Sequence, residues 1–187
     1  MGLGTLRILF ICMGILLFAA SLLTPLYALF AEDLGASIVI VGLLASTLFG
    51  CKSVAVLLLR SVSNKITAAG KMFVIAILLH VIAWIVLFFA NEIWHLFVAQ
   101  AVLGVSIAIA APVYRMLLAQ NLPTGKEVRT YAVWEMIKAL SGLLASVLGA
   151  LVVTAYGFQV LFLVMAGLGL VSAVIAITYL QYLVIKV

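Results

Sequence analysis

Long apolar runs, each closed by a charge, a glycine or a proline, organise this chain. They cover Ile8 to Ala31, Ile38 to Leu59, Met72 to Ala90, Trp94 to Leu118, Tyr131 to Tyr156 and Val160 to Ile185. At about 1.5 Å of rise per residue, each is long enough to cross a ~30 Å hydrocarbon core as a helix. None alternates apolar and polar positions over about 10 residues, as an outer-membrane strand must. The pattern predicts an all-α integral membrane protein, one domain of six transmembrane helices over residues 1–187. The first run is too long for a signal-peptide core and passes Pro25 and Tyr27 without a clean A-x-A site, so it reads as the first span.

The links between runs alternate in charge. Glu32, Asp33 and Glu92 fall on one side, and Arg7, Arg60, Lys65, Lys71, Lys126, Arg129 and Lys186 on the other. Basic loops stay in the cytoplasm, which places both termini there and makes the protein a multi-pass component of the cytoplasmic (inner) membrane. Short outer turns follow at Glu32 to Ser37, Asn91 to Ile93 and Gly157 to Gln159.

Composition agrees. Hydrophobic residues make up 68% and charged residues 8% of the chain, against about half and a quarter in soluble domains. The net charge of +5 is spread singly between apolar runs, so it sets topology and does not form a nucleic-acid surface. The lipid bilayer is the predicted surrounding. Cys12 and Cys51 lie inside apolar runs without a C-x-x-C pattern and read as packing residues.

Two segments recur in order. Pro25-Leu26-Tyr27, near the end of the first span, returns as Pro112-Val113-Tyr114 near the end of the fourth. Gly42-Leu43-Leu44-Ala45-Ser46 in the second span returns unchanged as Gly142-Leu143-Leu144-Ala145-Ser146 in the fifth. Three helices map onto three, and because three is odd the copies insert with opposite orientation. The expectation is a 3+3 inverted repeat over about residues 8–90 and 94–185.

With these features in place the sequence resembles one half, the N-terminal half, of a major facilitator superfamily transporter over nearly its whole length. Pro25 to Val41 is similar to the end of that family's first helix and the start of its second. Arg60 to Lys71 (RSVSNKITAAGK) stands where the family has G-x-x-x-D-R-x-G-R-R, with Asn64-Lys65 at the D-R pair and Gly70-Lys71 at the basic end. Gln100 with Gly104 resembles the fourth-helix R-x-x-x-G pattern with Gln for Arg. Leu122 to Arg129 resembles the family's cytoplasmic link, so Asn64, Lys65, Lys71 and Arg129 are its candidate loop motif. The resemblance implies that such a half pairs with another around a cavity, as a homodimer or with a second six-helix subunit.

Four ionisable residues fall within the spans: Lys52, Arg115, Glu135 and Lys138. An intramembrane charge is a functional candidate by default. Glu135 and Lys138, three residues apart, share a helix face and can pair. Ser141, Gly142, Ala145, Ser146 and Gly149 continue that face as a small, polar stripe suited to a cavity wall or a close helix contact. On the fourth span Gln100, Gly104, Ala111 and Arg115 fall within about 60° of one another. If the first and fourth helices line the cavity, as the resemblance implies, Arg115 clamps an anionic solute or pairs with Glu135, and Glu135 is a candidate proton site. The competing reading for Lys52, Arg115 and Lys138 is snorkelling to the surface. Tyr27 and Tyr114, in their matched Pro-x-Tyr settings, are gate candidates or interfacial aromatics. His80, one turn from Trp84, reads as a packed neutral histidine, and Trp94 with His95 as an outer-interface anchor.

No protease, metal or nucleotide motif competes, which argues against an enzyme and implies no cofactor or metal. Two readings remain. The first is a secondary transporter of a small solute, with three cations against one acid within the spans leaning towards an anion. The second is a six-helix membrane interaction or assembly protein, or a truncated relative, that transports nothing.

Overall fold

The computed structural model describes the backbone over residues 3–59, 66–122 and 125–185, with side chains over 6–59, 69–122 and 125–178. Apolar helices account for almost all of it. Helix α1 (Leu3–Leu23) runs into a single 3-10 turn at Thr24–Leu26, then α2 (Tyr27–Asp33). The turn falls at Pro25, which has no N–H to offer an α-helical ladder. Helices α3 (Ile38–Leu59), α4 (Ile66–Phe88) and α5 (Ile93–Gln120) follow. Pro112, matched to Pro25 in the sequence, lies inside α5 without ending it, as neighbouring helices in a membrane bundle permit.

The last element, α6 (Glu127–Ile185), holds 59 residues. Straight, it would measure about 90 Å at 1.5 Å per residue, three times a bilayer core. It is interrupted at Gly157, whose φ of 82° and ψ of 172° belong to a region that is essentially glycine territory. Among the described residues five helices are therefore long and apolar enough to cross a membrane, and the protein is multi-pass. The expected fifth and sixth spans run together across this break. They are the two arms of α6, residues 127–156 and 158–185, and the turn expected over Gly157 to Gln159 shrinks to one non-helical residue. Helix α4 also begins before the apolar run, because Ala68, Ala69 and Lys71 suit a helix even where hydropathy is low.

Helix α1 packs on α6, α3 on α5, and α4 on both α5 and α6. Three crossings are so close that only glycine fits. A β-carbon on Gly104 would lie 2.5 Å from the Leu48 carbonyl of α3, and one on Gly149 would lie 2.2 Å from the Leu22 carbonyl of α1. On Gly169 it would meet the Val81 and Trp84 side chains of α4. The core between these crossings is filled by Leu9 and Leu16 of α1, Phe73, Ile77 and Trp84 of α4, Leu117 of α5, and Phe162 and Met165 of α6.

Two buried polar clasps cross this apolar core. Ser172 Oγ donates to the Cys12 carbonyl at 2.9 Å, and the Cys12 thiol donates back to Ser172, 3.2 Å from its carbonyl. Between α4 and α5, Ser106 Oγ donates to the Ala76 carbonyl at 2.5 Å. With that hydrogen committed, the imidazole of buried His80 donates from Nδ1 to Ser106 Oγ, while its ring meets Trp84 edge-on at 5.6 Å. Cys12 and Cys51 are both free thiols.

Candidate functional site

A cleft of about 270 Å³ opens where α1, α5 and the first arm of α6 meet. Met13 and Leu17, one turn apart, supply the α1 wall; Ala111, Tyr114, Arg115 and Leu118 supply α5; Tyr131, Trp134, Glu135 and Lys138 supply α6. Helical spacing explains the selection, since each set lies three or four residues apart on one face. Lys138 Nζ is 2.6 Å from Glu135 Oε2, the one ion pair among the described residues. Glu135 remains 64% exposed and Lys138 39%, so in this single bundle both face open space. Arg115 is exposed beside them. The cleft therefore holds one neutralised pair and one uncompensated cation, enough to attract an anion and orient it through a guanidinium.

Two of the rings that line this cleft, Tyr114 and Trp134, belong to a row that continues beyond it. Phe10 stacks on Trp134 with centroids 5.7 Å apart, Trp134 lies 4.7 Å from Tyr114, and Tyr114 lies 6.2 Å from Phe73. The row ties α1, α6, α5 and α4 together. Tyr114 Oη is buried without a hydrogen-bond partner, so its ring packs in the row while its hydroxyl is left unanswered.

Of the residues singled out from sequence, Arg115, Glu135, Lys138 and Tyr114 meet in the cleft. Gln100 and Tyr27 do not. Gln100 lies on α5 about 22 Å nearer the acidic end, at 1.5 Å per residue, and is buried. It lies near Tyr27, and Gln100 Oε1 and Tyr27 Oη are each buried without a hydrogen-bond partner. Lys71, in the second turn of α4, and Arg129, in the first turn of α6, are exposed. Asn64 and Lys65 lie outside the described residues. Trp134 and Phe10 are the residues that sequence reasoning missed. Their pairing joins helices far apart in the chain, and the only local signal is that Tyr131, Trp134 and Lys138 share a helical face.

The family profile described as Major Facilitator Superfamily matches residues 9–184. The multidrug resistance protein MdtG of Salmonella schwarzengrund (strain CVM19633) is 23% identical over 170 residues, covering 89% of this chain and 42% of the relative. MdtG of Salmonella arizonae (strain ATCC BAA-731 / CDC346-86 / RSK2980) is 23% identical over 177 residues, covering 92% of this chain and 44% of the relative. The chain thus spans less than half the length of these relatives.

Proposed function

The chain belongs to the major facilitator superfamily, and we propose that it forms one six-helix half of a secondary transporter that carries a small solute by alternating access. Its place is the cytoplasmic membrane, with both termini on the cytoplasmic side. Six crossings follow from taking the arms of α6 on either side of Gly157 as separate spans. The 3+3 inverted repeat gains support from the packing. Exchanging first span for fourth, second for fifth and third for sixth turns the Gly149–Leu22 crossing into the counterpart of Gly104–Leu48. The same exchange turns the Cys12–Ser172 clasp into the counterpart of the His80–Ser106 clasp, and returns the contact of Gly169 with Val81 and Trp84 to itself.

The observation that carries the transport reading is the convergence of Arg115, Glu135 and Lys138 on one cleft. In this reading Arg115 holds the anionic group of the solute, and Glu135 exchanges its Lys138 partner for a proton as the halves rock, which frees Lys138 for the solute. Tyr114 at the cleft and Tyr27 beside Gln100 are the gates towards the two ends. The second half is a further copy of this bundle, so that the transporter is a homodimer. Its docking face is the outward side of α3 and the first arm of α6, where Gly42 and Gly142 of the repeated segment both look onto open space. Two-fold pairing sets α3 of one copy beside α6 of the other, with the same five residues meeting.

The test is reconstitution of the full chain into liposomes under an imposed proton gradient, with a panel of organic anions and lipophilic cations as solutes. Gradient-driven uptake that Glu135→Gln and Arg115→Gln each abolish supports the reading, together with a detergent-corrected mass of about twice 20.0 kDa. A persistent monomer without flux for any solute overturns it and favours a non-transporting bundle.

A further inference from the structure

A second cleft, of about 280 Å³, opens between the first turns of α1 and α6, beyond the Phe10–Trp134 stack. Arg7, Lys126 and Arg129 supply its cations, and Leu6, Phe10 and Val133 its apolar wall. All three cations are exposed, and none joins the one ion pair among the described residues. The nearest carboxylate in sequence, Glu127, instead accepts the Gly125 N–H at 2.9 Å. Thr130, which also lines the cleft, spends its hydroxyl on the Lys126 carbonyl at 2.9 Å. Among the described residues that line the cleft, three cations therefore stand with no carboxylate.

Depth narrows what can neutralise them. From Arg7 the chain carries no charge until Glu32, about 37 Å of helix at 1.5 Å per residue, close to the span of a hydrocarbon core and its flanking headgroup layers. With the acidic turn at one surface, Arg7 sits at headgroup level at the other. A soluble anion would need the cations but gain nothing from the apolar wall. A lipid uses both, at this depth. We infer that this cleft is a binding site for an anionic phospholipid, its phosphate held by Arg7, Lys126 and Arg129 and an acyl chain laid against Phe10 and Val133. Charge-assisted bonds to phosphate and the attraction of basic residues to an anionic leaflet supply the affinity. The inference does not depend on the chain being a transporter.

The test is native mass spectrometry of the full chain released from micelles containing equal amounts of phosphatidylglycerol and phosphatidylcholine. Phosphatidylglycerol should be retained over phosphatidylcholine, and Arg7→Gln, Lys126→Gln and Arg129→Gln should each reduce its retention about five-fold. Lys52→Gln, on α3 and outside the cleft, should leave retention unchanged. A reading that needs no variant is the melting temperature of the unaltered chain, which phosphatidylglycerol should raise and phosphatidylcholine should not. Equal retention of the two lipids, or an equal fall in Lys52→Gln, overturns the assignment. Displacement of phosphatidylglycerol by inorganic phosphate also overturns it, in favour of a site for soluble anions.

Discussion

Helices α3 and α4 are 22 and 23 residues long and both strongly apolar, yet they turn different surfaces outward. The outward face of α4 is built from large side chains, Ile75, Leu78, Ile82 and Ile85. That of α3 also carries large side chains, Ile38, Val39, Leu43, Phe49, Val54 and Leu57 among them, but interleaves them with Gly42, Ala45, Ser46, Gly50 and Ser53. Burial separates them too: 44% of α4's most apolar stretch is buried inside the bundle, against 11% for α3. In a bilayer, apolarity does not distinguish a lipid-facing surface from a protein-facing one, because lipid tails are as apolar as leucine. Residue size does, since small residues let helix backbones approach. By that criterion the outward face of α4 suits lipid, and the small-residue stripe of α3 suits the helix contact proposed above.

The strongest way to break this comparison is to place bulk where helices already touch and where they do not. Gly149→Val drives its side chain into the Leu22 carbonyl and should cost about 3 kcal/mol, seen as loss of monodisperse protein and a much lower melting temperature. Gly42→Val, facing open space, should leave the bundle's melting temperature unchanged; equal damage from both would end the distinction between occupied and unoccupied small-residue surfaces. Next in size is Glu135→Gln in the α5–α6 cleft, for which gradient-driven uptake in proteoliposomes should fall at least ten-fold, equivalent to about 1.4 kcal/mol.

Smaller effects separate the two sides of α4 itself. His80→Ala removes the hydrogen bond to Ser106 and leaves a void, so thermal unfolding in detergent should report a loss of about 1–2 kcal/mol. Ile82→Ala, on the outward face, should stay within about 0.5 kcal/mol of the parent. Least visible is Ser46→Leu on α3. Its expected signature is a several-fold weaker self-association in concentration-dependent mass measurements, with unfolding unchanged.

Much of the architecture was legible because bilayer physics writes it in runs. The bounds of α3 coincide with the second predicted span, and the ends of α5 differ from those of the fourth by only one or two residues. The Glu135–Lys138 pair was legible because both residues sit on one helix, where spacing fixes direction. Arg115 beside them was foreseeable only by placing two helices on the same cavity, a step that came from family resemblance. The Phe10–Trp134–Tyr114 row and the Cys12–Ser172 clasp were not legible, because nothing local marks partners that distant. Pro25 and Pro112 mark a further limit: identical chemistry in matched positions gives a broken helix in one place and a continuous one in the other, according to which neighbours support the backbone.

The Cys12–Ser172 clasp also has a consequence in time. Its two residues are separated by 160 positions, and at synthesis rates of about 5–20 residues per second a ribosome needs roughly 10 to 30 s to travel between them. Throughout that interval α1 is already made while the helix that completes its packing does not yet exist. Helix α1 must therefore wait, with Cys12 unmatched, until the second arm of α6 arrives. Assembly of this bundle is gated by its own translation, and any agent that shields or degrades half-finished membrane proteins has that window in which to act.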